Sequence, residues 1–310
     1  MSNSNLKKSK KKSKKTLSFK PIDNENNETT QKNKDEKKKD FLRRISSKEI
    51  IFMNEEEKEG YCVNKYDNGD AYFGYYAKDL RNFHGCYYYS PVSLDEEYQL
   101  TRCYLGLWKD DLRHGNGIYL WAKERKNEKF YENFDKSNFK AFAGNFVLDN
   151  LSRGTYLSKE GDYYYVYYGT FSEQNKKNGN NCLYFSSNLE QLLYGTFRDN
   201  EFVEGYISKF NEDGEIESMF EYKNNITQDI GVTQKKEIKN IMSDFRNCIM
   251  TEDYFGNIFE VFSRILKFKD KYLFNIDVIN TTKYDDFIDI CKSYKKVTIN
   301  NDIEKYVKIN

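Results

Sequence analysis

The chain has 310 residues, with 50 basic against 49 acidic side chains, and only 2 His and 2 Pro beside 27 Tyr and 23 Phe. With no third His, His-based metal sites and most Ser–His or Cys–His catalytic arrangements lack their parts. The charge is uneven: residues 1–20 hold eight Lys and no acid, which leaves 42 basic against 49 acidic residues in the body.

Residues 1–40 are Lys, Asn, Ser, Glu and Thr with almost no apolar side chains, so they are expected to form a disordered basic tail. Lys7, Lys8, Lys10, Lys11, Lys12, Lys14 and Lys15 crowd into nine residues. Such a run attracts polyanions of any kind, from acidic lipid headgroups to acidic protein tails, or simply stays solvated. Ser2 stands where N-myristoylation requires Gly. Residues 41–59 read as a short helix or linker with Phe41, Leu42, Ile45 and Phe52 as its apolar side chains. Within it, Arg43-Arg44-Ile45-Ser46 fits a basophilic kinase site at Ser46.

From Gly60 the pattern changes to short aromatic runs broken by Gly. Asn68-Gly69, Gly161-Asp162 and Asp213-Gly214 separate such runs and predict hairpin turns. Five Gly-centred runs align. They are Tyr72-Phe-Gly74, Tyr104-Leu-Gly106-Leu-Trp108, Phe142-Ala-Gly144, Tyr167-Tyr-Gly169 and Leu193-Tyr-Gly195. Each is followed by a polar turn and a second Gly: Gly85, Gly115, Gly154, Gly179 and Gly205. A half unit, Gly60 to Gly69, precedes the first. The central glycines are 32, 38, 25 and 26 residues apart. The two long steps hold Ser90–Arg102 and residues 122–141, insertions expected at one edge of the array.

With Tyr104, Gly106, Trp108, His114, Gly115 and Gly117 in place, the second unit resembles the MORN (membrane occupation and recognition nexus) repeat. The other units follow it more loosely, and the resemblance covers Gly60 to Tyr222. It implies a mainly β fold, an elongated antiparallel sheet of stacked hairpins over residues 60–222. Residues two apart on a strand share a face, so each Gly leaves a gap between two rings that a ring from the neighbouring strand is expected to cover. A strand Gly costs about 0.5–1 kcal/mol, so its recurrence implies close packing that a Cβ would block.

After Tyr222 the spacing turns helical. Ile238, Ile241, Met242, Phe245 and Ile249 form one stripe, Ile258, Phe262, Ile265 and Leu266 another, and Tyr284, Phe287 and Ile288 a third. Residues 233–310 are therefore predicted to be a small α-helical cap on the last hairpin or a docking element. The six Cys are scattered, which fits free thiols in a reducing compartment. No phosphate-binding loop is present and no cofactor is expected. In the MORN family such repeats can precede lipid kinase or lysine methyltransferase domains, and residues 233–310 carry the signature of neither.

The reading that results is a non-enzymatic scaffold. The resemblance implies protein partners in the cytoskeleton and a place in the cilium or cell cortex. The alternative is a peripheral membrane module that reads acidic phospholipids through its basic tail and the repeats. Nucleic acid is not expected, because Lys and Arg do not interleave with the aromatic runs along the sequence. Open sheet edges leave room for self-association.

Overall fold

The computed structural model describes residues 59–128, 138–250, 252–270, 286–287 and 289–290. The Lys-rich run, residues 41–58 and Ser46 lie outside these residues. The chain from Gly60 to Asp229 forms one antiparallel meander of thirteen described strands in sequence order. They are β1 (Gly60–Lys65), β2 (Ala71–Ala77), β3 (Leu80–Ser93), β4 (Tyr98–Lys109), β5 (Leu112–Arg125), β6 (Asn138–Val147), β7 (Asn150–Glu160), β8 (Tyr163–Thr170), β9 (Gly179–Ser186), β10 (Gln191–Arg198), β11 (Glu201–Phe210), β12 (Ile216–Lys223) and β13 (Ile226–Asp229). Thus the sheet runs one strand past Tyr222. Two helices follow, α1 (Lys236–Met250) and α2 (Glu252–Phe268).

Turns alternate between the two edges and use different chemistry at each. At one edge Gly69, Gly161 and Gly214 supply positive φ (84°, 63° and 83°), as their neighbours in sequence predict. At the other edge the tight turns contain no Gly. Lys78-Asp79, Asp110-Asp111, Leu148-Asp149, Asp199-Asn200 and Asn224-Asn225 all have both residues at positive φ. Asp and Asn tolerate this conformation because their short polar side chains bond locally, which Leu148 does not.

Much of the described part of the expected insertions is strand. Ser90–Ser93 lengthens β3 and Tyr98–Arg102 begins β4, while Ala122–Arg125 and Asn138–Ala141 extend β5 and β6. β3, β4 and β5 therefore project beyond their neighbours at the Gly69 edge, while β6 ends level with β7 and β8.

The strand register aligns the glycines. Gly74, Gly85, Gly106, Gly117, Gly144, Gly154 and Gly169 pair one to the next without a break. Cys182 takes the place on β9 and pairs with Gly195, which pairs with Gly205. Gly115 and Gly179, grouped with these on sequence, stand outside the line, opposite Phe146 and Phe197. The cause is bulging: Gly106 pairs with Gly117 but Trp108 with Arg113, so β5 carries two extra residues. Counting along the chain slips by that amount, and His114 is not the counterpart of His84.

The two faces of the sheet differ. One presents Phe73, Cys86, Leu105, Ile118, Leu120, Ala141, Leu157, Val166, Phe185 and Leu192, and α1 and α2 bury it with Met242, Phe245, Ile249, Phe262 and Ile265. Tyr164 on β8 reaches Met250, whereas Phe268 packs on Phe73 of β2 at 5.0 Å. The helices therefore lie across the sheet face and are not confined to the last hairpin. Small and branched side chains on that face leave an apolar surface that needs cover, and the helical stripes supply it.

Candidate functional site

The opposite face is aromatic, and its order starts from the glycines. A Cβ on Gly85 would lie 2.1 Å from the Tyr72 hydroxyl, and one on Gly106 2.4 Å from that of Tyr104. For Gly74 and Gly106 the covering ring belongs to the Gly-bearing strand itself, two residues earlier, whereas Gly85 and Gly117 are covered, as expected, by a ring from the neighbouring strand. Each ring lies flat over its own Gly and the paired one. The hydroxyls of Tyr72, Tyr104 and Tyr167 then donate to the carbonyls of Tyr75, Leu107 and Thr170, at 3.2, 2.8 and 2.8 Å. In the first two units the bulge starts beside that carbonyl.

The aromatic residue after each Gly wedges between successive flat rings. Trp108 meets Tyr72 at 5.5 Å and Tyr104 at 5.2 Å, both edge to face. Phe146 joins Tyr104 to Phe142, Phe171 joins Phe142 to Tyr167, and Phe197 continues from Tyr167. Each such pair adds about 0.5–1.5 kcal/mol beyond its buried area. Leu193 takes the place of the flat ring on β10, and the ring contacts continue from Phe197 through Phe202 to Tyr222.

A polar bracket repeats along the glycine-free turn edge. Asp111 accepts the Arg81 backbone N–H at 2.8 Å and its Nε–H at 2.9 Å. Asp149 does the same for Arg113, at 2.9 and 2.9 Å. Asn175 and Asn200 accept the N–H of Leu151 and Lys177. The Arg81 guanidinium lies 4.4 Å over Trp108, and that of Arg113 lies 5.1 Å over Tyr119. At the other edge, burial disfavours the Asp70 carboxylate. Hydrogen bonds from the Ser90 N–H, the Tyr87 hydroxyl and the Asn68 amide outweigh that and hold its pKa below the ordinary value.

Two surfaces remain open among the described residues. The first lies on the aromatic face, at the Gly69-edge ends of β3–β6. Across consecutive strands the register reads Tyr89, Arg102, Trp121, Lys140. Lys123 and Arg125 lie opposite Leu100 and Tyr98. The rings touch, with Tyr89 to Tyr119 at 5.7 Å and Tyr119 to Trp121 at 4.1 Å. Burial pushes the Tyr89 and Tyr119 hydroxyls above their ordinary pKa, so both stay protonated. Arg102 lies 4.9 Å over Tyr89 and Lys123 lies 4.2 Å over Tyr98. Arg125 and Lys140 pair with Glu128 and Glu160 at 3.4 and 3.7 Å. Arg102 and Lys123 pair with no carboxylate among the described residues. Composition hides this patch, because its alternation of rings and cations runs across strands.

The second surface is apolar. Leu80, Leu112 and Val147 flank three successive glycine-free turns on the helix-bearing face, with Phe83 and Leu148 beside them. They are 38, 36, 45, 47 and 57% exposed, in that order.

Of the sequence-derived positions, Tyr72, Gly74, Gly85, Tyr104, Gly106, Trp108, Gly117, Phe142, Gly144, Gly154, Tyr167, Gly169, Gly195 and Gly205 meet in one band. Gly115, Gly179 and His114 do not. Cys86, Cys103 and Cys182 are buried, and burial drives the Cys103 thiol well above its usual range. Among the described residues no cluster of His, Cys, Asp or Glu fits a metal ion, and no helix is long and apolar enough to cross a membrane. No protein-family model matches the chain, and no curated protein shows significant similarity to it.

Proposed function

We propose that this chain is a non-catalytic, MORN-like scaffold that binds protein partners of the cytoskeleton, at the cilium or cell cortex. The observation that carries the reading is the apolar line Leu80, Leu112, Val147 along one sheet edge. It repeats with the hairpins, and the brackets hold it in register. Exposed apolar rows on a rigid surface favour protein contact. The experiment is proximity labelling in the source cell with the full chain and with Leu112→Asp/Val147→Asp. Enrichment of cytoskeletal or cortical proteins, lost in the variant, is expected. Enrichment of unrelated soluble enzymes alone would overturn the reading.

A peripheral membrane role rests on Lys7–Lys15 and has its own test. Sedimentation with phosphatidylserine vesicles should then depend on those lysines.

A further inference from the structure

We propose that the basic aromatic patch on β3–β6 binds single-stranded RNA. The proposal goes beyond the scaffold reading and rests on a different surface. Three observations converge. The patch alternates planar rings and cations on neighbouring strands, Tyr89, Arg102, Trp121 and Lys140. At about 4.8 Å per strand, Tyr89 and Trp121 stand roughly 10 Å apart with a guanidinium between them. That is the layout of bases stacked on rings with a phosphate held between.

Charge is the second observation. Outside residues 1–20 the chain has 42 basic against 49 acidic residues, yet this patch gathers Arg102, Lys123, Arg125 and Lys140. Among the described residues only Arg125 and Lys140 of these pair with a carboxylate, and both pairs are half exposed and weak. The third observation is the Tyr98 phenol. It borders Lys123, accepts a long bond from the Arg125 Nε–H at 3.4 Å and keeps a lone pair for a ribose 2′-hydroxyl, the group that separates RNA from DNA. An acidic peptide satisfies the cations but leaves the rings without a role.

The test is fluorescence anisotropy with short labelled oligo(U), oligo(dT) and polyglutamate. It uses the full chain with Lys7, Lys8, Lys10, Lys11, Lys12, Lys14 and Lys15 changed to Gln, so that the tail contributes nothing. Oligo(U) should bind with a log–log salt slope of about −2 to −3, the value for three to four phosphates on a single strand. Trp121→Ala should weaken binding roughly 5- to 100-fold, as loss of one stacked base does. Lys123→Gln, a change at an exposed site, should reduce the slope by about 0.7. Oligo(dT) should bind more weakly than oligo(U).

Absence of oligo(U) binding at low salt would overturn the proposal, as would binding indifferent to both Trp121→Ala and Lys123→Gln. Polyglutamate bound as tightly as oligo(U) would assign the patch to acidic peptides, and oligo(dT) bound at least as tightly would remove the RNA assignment. None of these results touches the Leu112/Val147 surface. Failure of the RNA proposal is therefore distinct from failure of the scaffold reading.

Discussion

Replacing Gly106 by Ala tests the packing principle of the whole sheet. Its new methyl would lie 2.4 Å from the Tyr104 hydroxyl, 2.6 Å from the Tyr104 ring carbon that bears it and 2.6 Å from the Gly117 Cα. Something must move. If the Tyr104 ring lifts, it leaves a fully buried site, its bond to Leu107 and its edge contacts with Trp108 and Phe146. The hydrogen bond is worth about 1 kcal/mol and the two ring contacts about 0.5–1.5 kcal/mol each. With lost burial the cost reaches about 3–5 kcal/mol, the range for removing a buried ring. Reduced freedom of the unfolded chain returns about 0.4–1 kcal/mol. A net loss of roughly 2.5–4 kcal/mol is expected, read as a shift of the urea midpoint at constant m-value. A Tyr104→Ala/Gly106→Ala cycle separates the ring from the backbone contact. The two substitutions should couple by at least about 1 kcal/mol. A Gly106→Ala protein within about 0.5 kcal/mol of the parent would refute the argument, and so would strict additivity.

Leu148 holds φ 49° in a two-residue turn and is largely exposed, so Leu148→Asn should stabilise the chain by about 0.5–1 kcal/mol, visible as a higher Tm. Asp149→Ala removes two charge-assisted bonds to Arg113 and should cost about 1.5–3 kcal/mol in urea melts. Asp149→Asn should cost less, because Asn200 already performs that task for Lys177. Asp70 has a folded-state pKa below its ordinary value, so its contribution is complete above about pH 4 and is lost as pH falls through the lower folded value. Stability measured from about pH 2 to pH 6 should therefore show a shallower acid limb in Asp70→Asn than in the parent.

The sheet was legible in the sequence because its local signals are strong. Asn68-Gly69 and Asp213-Gly214 marked turns, and alternating Tyr and Gly marked strands. Register was not legible. Bulges insert residues between paired glycines, so Gly115 was counted where Gly117 stands and Gly179 where Cys182 stands. The glycine-free turns escaped for a related reason: Asp110-Asp111 and Leu148-Asp149 reach positive φ without the residue that usually announces it. Helical stripes in α1 and α2 were readable, but their destination depends on the side chains of eight or more strands taken together. The patch around Trp121 was invisible for the same reason, since Arg102 and Lys140 become its neighbours only by pairing.

The Tyr88 hydroxyl donates to the Ile265 carbonyl across 177 positions, and Phe287 sits 4.5 Å from Phe73. During synthesis, then, the earliest hairpins leave the ribosome long before their oily side finds its lid. Until the last segments emerge, those hairpins must either wait exposed or be shielded by chaperones. Late truncations should accordingly harm the beginning of the molecule as much as its end.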